Sequence, residues 1–176
     1  MKNIQRTSFV IAACLLALPS LASENEDAVL AILKPVADAA MRGDFSAGIQ
    51  VMYDPLAQEL GGKPRLIASV GMLKGQLEAQ NLRLVKQEFV KPFRFIQGEK
   101  RRYVIVPTLT EMQGSSSLMR AYSFQLGVEV SPGNWQFVDG AQVNRILINK
   151  YFSDFPANEK LPESRRETVP LPIGAK

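Results

Sequence analysis

Near Leu82 the spacing of apolar residues changes from a helical repeat of about 3.6 to an alternating repeat of 2, and it stays alternating up to Val138. A chain with that single switch has to put helices first and strands second, which makes it an α+β protein with segregated layers. Before the switch, Val29, Ile32, Leu33, Val36 and Ala40 lay out a first helical stripe that ends near Gly43. Ile49, Met52, Tyr53, Leu56 and Leu60 make a second, stopped by Gly61 and Gly62, residues suited to a left-handed C-cap. Leu66, Val70, Leu73 and Leu77 make a third, with Pro64 in its first turn and an end near Asn81. Pro35 predicts a kink in the first helix, or its division in two, because an internal proline lacks one N–H and crowds the preceding turn.

After the switch, LRLVKQEFV, PFRFIQ, RRYVIVPTLTEMQ and LMRAYSFQLGVEV read as antiparallel strands. Gly98, then Gly114 with Ser115 to Ser117, then Ser131 to Asn134 supply the turns between them. In the strand around Phe124, the residues Tyr122, Phe124, Leu126, Val128 and Val130 share a packed face. Ala121, Ser123, Gln125, Gly127 and Glu129 share a semi-polar one. Asp139 is placed to N-cap a short closing helix that carries Val143, Ile146, Leu147 and Tyr151. Beyond Phe155 come Pro156, Pro162, Pro170 and Pro172, so residues 157–176 read as a proline-containing tail, extended or disordered.

The first residues read as an address. Lys2 and Arg6 precede the apolar run at residues 9–18 (FVIAACLLAL), which is shorter than the roughly 20 residues that span a bilayer. Ser20 and Ala22 stand where a leader peptidase requires small residues, so residues 1–22 are expected to be a signal peptide cleaved after Ala22. Residues 23–156 then form the folded domain, and the location is periplasmic. IAAC at 11–14 also spells a lipobox, which would anchor a lipoprotein at Cys14. The apolar run barely begins before Cys14 and continues through LLAL after it, so cleavage after Ala22 is preferred.

The formal net charge is +4, and removing residues 1–22 takes Lys2 and Arg6 with it. A nearly neutral exported domain does not read as a nucleic-acid binder. The chain holds no histidine and one cysteine, Cys14, which the leader carries away. This removes the Ser-His-Asp triad, the Cys-His dyad, the usual zinc sites and histidine-ligated haem, and no cofactor is expected. No nucleophile elbow, phosphate loop or dinucleotide fingerprint occurs.

The order of helices and strands, together with GNWQFVDG at 133–140 and AQVNRILINKYFSDFP at 141–156, resembles the endings of secreted bacterial members of the nuclear-transport-factor-2-like, or cystatin-like, superfamily. The resemblance covers about residues 27–156. It implies a strongly curved antiparallel sheet with the N-terminal helices packed in its concave face, a cone-shaped cavity between them, and a short closing helix. It also implies a homodimer through the sheet. Ketosteroid isomerases in that superfamily use a carboxylate base opposite a tyrosine and a protonated acid. No motif here carries those roles over, and Gly43-Asp44 and Pro35 depart from the family's helix pattern.

Several residues are candidates for a site. Tyr53, Tyr122, Phe124, Trp135 and Phe137 are the set that would line a cavity for an apolar ligand. The strand carboxylates Glu88, Glu111 and Glu129 would have raised pKa values if they faced it, but alternation points Glu129 to solvent, and Asp44 reads as a helix cap. Lys91, Arg94, Lys100, Arg101 and Arg102 form a basic group that suits an anionic surface or a solvated edge. The expected function is therefore non-catalytic, a binding or interaction domain that holds a small apolar ligand in its cone or an envelope protein on its sheet. Its rivals are a histidine-free enzyme of the ketosteroid-isomerase or dehydratase-like type and an immunity or accessory protein of an envelope complex.

Overall fold

The computed structural model describes residues 21–171. The segment expected to be a leader, with Cys14, lies outside them except for Leu21 and Ala22. Among the described residues no helix is long and apolar enough to cross a membrane. Helix α1 (Leu21–Met41) runs through Pro35 without a break. Pro35 and Ala31, whose carbonyl loses its helical donor, both lie on the exposed side, where water serves that carbonyl. The opposite side buries Val29, Leu33 and Ala37.

The expected second helix is two short ones, α2 (Ser46–Gln50) and α3 (Asp54–Glu59). In a continuous helix the Val51 carbonyl would accept from residue 55, but Pro55 has no N–H to give. Val51 instead accepts from the Phe137 N–H at 2.9 Å, and the Tyr53 N–H donates to the Phe137 carbonyl at 2.9 Å. A parallel bridge between Met52 and Phe137 thus covers the outer edge of the sheet. Helix α4 (Lys63–Ala79) follows, with proline in its first turn as expected.

The strands are β1 (Arg83–Phe89), β2 (Arg94–Gln97), β3 (Arg102–Gln113), β4 (Ser117–Ser131), β5 (Asn134–Asp139) and β6 (Arg165–Pro170). They form one strongly curled antiparallel sheet in the order β1-β3-β4-β5, with β2 beside β1 along the edge of β3, and β6 beside β5 along the edge of β4. The class is α+β, helices first and a curled sheet second. β6 lies within the segment expected to be an extended or disordered tail. It is extended and hydrogen-bonded, pairing from Tyr122↔Arg165 to Ser117↔Pro170. Helix α5 (Arg145–Tyr151) is capped by Asn144, whose side chain accepts from the Leu147 N–H at 2.9 Å, and not by Asp139 as the spacing suggested. Asp139 sits one turn too early; its carboxylate accepts from the Ala141 N–H at 2.8 Å and closes the turn before the helix.

The sheet is packed on both faces. On one, Tyr103, Ile105, Phe124, Leu126, Val128 and Val138 meet Ile148, Phe152 and Phe155 from α5 and the segment after it, together with Tyr53 and Leu56. On the other, Val104, Val106, Trp135 and Phe137 meet Val29 and Leu33 of α1.

One buried charge ties these parts together. The Asp154 side chain is 4% exposed and is ion-paired to the Arg101 guanidinium. It also accepts from the Tyr103 hydroxyl at 2.6 Å and from the Arg101 N–H at 3.0 Å. Arg101 reaches on to the Tyr151 carbonyl at 3.1 Å. The turn between β2 and β3 comes so close that a Cβ on Gly98 would lie 2.6 Å from the Asp154 carbonyl oxygen. Burial alone would raise the Asp154 pKa, but the bonds from Arg101 and Tyr103 outweigh it and hold the carboxyl at about 2.

Two expectations follow. Asp154→Ala leaves Arg101 and Tyr103 unpaired and should destabilise the fold by about 3–5 kcal/mol in urea denaturation. Because the folded pKa lies below the ordinary 3.8, the stabilisation from Asp154 is present above that value and is lost as pH falls toward about 2. Urea midpoints measured across that range should fall more steeply for the native protein than for Asp154→Ala, and parallel slopes would refute the assignment.

Candidate functional site

The two faces of β3 and β4 differ in how far their apolar packing extends. The register Val104↔Gly127, Val106↔Gln125 and Thr108↔Ser123 shows the α1 face turning from apolar to polar along the strands, as does Gln87↔Thr110 between β1 and β3. Where the apolar residues stop, a cavity of about 440 Å³ opens between the helices and the sheet. Its helical walls are Leu33, Val36 and Ala40 of α1, Ile49 of α2, and Val70 and Leu73 of α4. The sheet supplies Phe89, Phe137, Gln87 and Gln125, with Asp139 and Gln142 at one side.

α4 is the least embedded of these walls. It packs on α2 and α3, buries none of its residues, and leaves Met72 66% exposed. A second hollow of about 340 Å³ continues along the sheet past Thr108, Thr110 and Ser123 to Arg166 of β6. It shares Gln87, Gln125 and Asp139 with the first. A third, of about 310 Å³, lies beyond Ala40 and Phe45 and is edged by Arg42, Lys74 and Arg83.

Of the five residues singled out in the sequence, Phe137 lines the first cavity. Trp135 is in the same apolar cluster but packs edge-on to Phe95 at 6.0 Å, with the Arg102 guanidinium 5.6 Å from its ring. Phe124 is 1% exposed in the core on the opposite face. Tyr53 joins that opposite core, its ring 4.9 Å from Phe152 and its hydroxyl accepting from Arg101 at 3.4 Å. Tyr122 borders the second hollow, but its hydroxyl donates to Glu167 at 2.9 Å and its ring carries the Arg165 guanidinium at 4.1 Å. The aromatic set is therefore divided between two faces. The wall residues that its selection missed, Gln87, Thr108, Thr110, Ser123 and Gln125, had a signal in the alternation, which marked the face of Ser123 and Gln125 as semi-polar.

None of the strand glutamates lines the first cavity. Glu88 pairs with Lys86 at 2.7 Å, Glu111 accepts from Arg120 at 2.7 Å, and Glu129 is held by Arg102 and by the Gly133 N–H at 2.8 Å. The Arg102 bond outweighs the opposing effect of burial and, with a lesser contribution from the Gly133 N–H, keeps the Glu129 carboxyl below its ordinary value. Four of the five residues of the basic group are similarly engaged, Lys91 with Glu26 and Asp27, Arg94 with Glu159, Arg101 with Asp154 and Arg102 with Glu129, while the Lys100 side chain is in no ion pair among the described residues. Among the described residues no group of three or more histidine, cysteine or acidic side chains is arranged to hold a metal ion.

No protein-family model matches this chain, and no curated protein or solved structure matches it either.

Phe137 owes its position as cavity wall to Gly127 beneath it. A Cβ on Gly127 would lie 2.6 Å from Val104 Cγ1 and 2.9 Å from Phe137 Cε1. Gly127→Ala should cost about 1–3 kcal/mol of stability through overpacking, measurable by denaturation. The same substitution should shift the aromatic proton resonances of Phe137, and an unchanged spectrum would contradict the packing described.

Proposed function

We propose that this protein is an exported binding domain that holds a small, mainly apolar ligand in the cavity between α1, α2, α4 and the sheet. The observation that carries the reading is the cavity itself. Its volume of about 440 Å³ lies within the range of small-molecule sites, and its walls are mostly aliphatic and aromatic with a few amide groups. The absence of a paired acid and tyrosine on its walls favours binding over proton-transfer chemistry, since Asp139, the carboxylate there, is exposed and already closes a turn.

The curled sheet with helices across it is compatible with the nuclear-transport-factor-2-like cone that residues 133–156 resemble, and a cavity in this position supports that assignment. The leader at residues 1–22 supports export to a periplasm with cleavage after Ala22. Denaturing mass spectrometry of the native protein should find a chain beginning at Ser23, and a diacylglyceryl adduct on Cys14 would replace that reading with a lipoprotein.

Phenylnaphthylamine, an uncharged apolar fluorophore, tests the binding reading. Its emission should rise and saturate at one site per chain. Gly48 lines the cavity, and a Cβ there would meet only Val36 at 3.8 Å, so Gly48→Leu starts from open space and takes up cavity volume. That variant should keep or raise the melting temperature, since glycine is the poorer helix former, and weaken the probe by about tenfold or more. Unsaturable emission, or equal affinity in the variant, would overturn the proposal and leave the surface as the place to look for a partner.

A further inference from the structure

We infer that the ligand is an amphiphile with an uncharged, hydroxyl-bearing head: its apolar body lies in the inner cavity and its head lies along the outer groove over Thr108 and Thr110. This rests on the binding reading above and specifies the ligand class. Four observations support it. The two hollows adjoin, with Gln87, Gln125 and Asp139 as common walls. Their linings differ: the inner one carries the aliphatic side chains of α1, α2 and α4, and the outer one adds the hydroxyl groups of Thr108, Thr110 and Ser123 to the shared amides.

The outer groove also has hydrogen-bonding capacity that the protein does not use. The side chains of Thr108, Thr110, Gln87 and Gln125 make no hydrogen bond to any described residue, although Thr108 is only 6% exposed. Ser123 is joined only to Ser164, at 3.0 Å. Donors and acceptors set side by side across neighbouring strands suit a group that both donates and accepts at several points, which describes a polyol or sugar.

Charge then separates a neutral head from an ionic one. The outer groove is edged by one acid, Asp139, and by Arg165 and Arg166. Arg165 is stacked on the Tyr122 ring, and Arg166 is exposed on the edge strand β6. Arg166 shares the face of Thr110 in the row Thr110–Ala121–Arg166 but is exposed, so an ionised head beside Thr108 would meet one solvated cation and no buried counter-charge. A denser group of cations, Arg42, Lys74 and Arg83, edges the third hollow, which adjoins the inner cavity at Ala40 and Phe45 and also carries Glu78.

Calorimetric titration of the purified protein with three probes of equal tail length, each kept below its micelle concentration, tests the inference. Octyl glucoside should bind about tenfold or more tightly than octanol or octyl sulfate. Thr108→Val with Thr110→Val keeps side-chain shape and strand preference, removes no internal side-chain bond, and leaves the inner cavity untouched. In that variant octyl glucoside should fall to the affinity of octanol, while octanol is unchanged. Equal binding of octanol and octyl glucoside, or an unchanged glucoside affinity in the variant, overturns the head-group assignment and leaves the apolar cavity standing. Tightest binding of octyl sulfate overturns it in favour of the cationic hollow. No binding of any probe overturns it together with the reading on which it rests.

Discussion

The contact between Asp154 and Arg101 holds the fold together because three separated parts of the chain depend on it. Arg101 belongs to the turn that starts β3, Asp154 follows α5, and Tyr53 opens α3; the Arg101 guanidinium joins its turn to the other two. A carboxylate this buried carries a desolvation cost of several kcal/mol, which only a close cation and added hydrogen bonds can offset. Those partners, Arg101 and Tyr103, stand 53 and 51 residues before Asp154, so the pair forms only when the C-terminal segment has returned over the sheet. With that face closed, α5, Phe152 and Phe155 have a fixed place against β3 and β4, and the opposite face is left to the N-terminal helices.

The cavity follows from a mismatch between these two packing jobs. The face under α5 is apolar from Tyr103 to Phe124 and fills completely. The face under α1 is apolar only from Val104 to Val106, after which Thr108 and Thr110 follow on β3 and Gln125 and Ser123 on β4. A helix cannot bury such a strip without losing its hydrogen bonds, so the walls separate there and space remains. Helix α4, which buries nothing fully, bounds the opening from outside. The cavity is thus a consequence of where apolar side chains run out along two strands.

Much of the architecture was legible because it is local. The switch at Leu82 marked helices before strands, the turns at Gly98, Gly114 and Ser131 gave the three hairpin connections, and alternation in β4 separated Phe124, Leu126 and Val128 from Ser123 and Gln125. The misread points share one cause. Pro55 marks the break between α2 and α3, but the helical spacing of Ile49, Met52 and Tyr53 outweighed it until Phe137 offered another partner to the Val51 carbonyl. Asp139 and Asn144 are both good caps locally, and the turn closed by Ala141 decides between them. Residues 165–170 carry no strand pattern of their own and become β6 because β4 is longer than β5 and leaves an edge to be covered. Pro35 was overweighted, because its cost depends on which side of α1 faces water.

For the site, residue type pointed one way and geometry another. Aromatic side chains are the usual markers of an apolar pocket, and Tyr53, Tyr122, Phe124, Trp135 and Phe137 stand out on that ground alone. A two-residue repeat says which of them share a face of one strand, but it does not say which face of the sheet a helix will cover, because that depends on contacts made across the whole chain. By itself, the sequence determined the class, the order of elements, the alternation within each strand and the lack of histidine chemistry, all properties of neighbouring residues. Only the tertiary structure decided that two of those aromatics would join α5 in a closed core, that Phe137 would become a cavity wall, and that an unremarked row of threonine and glutamine would face the space left beside it.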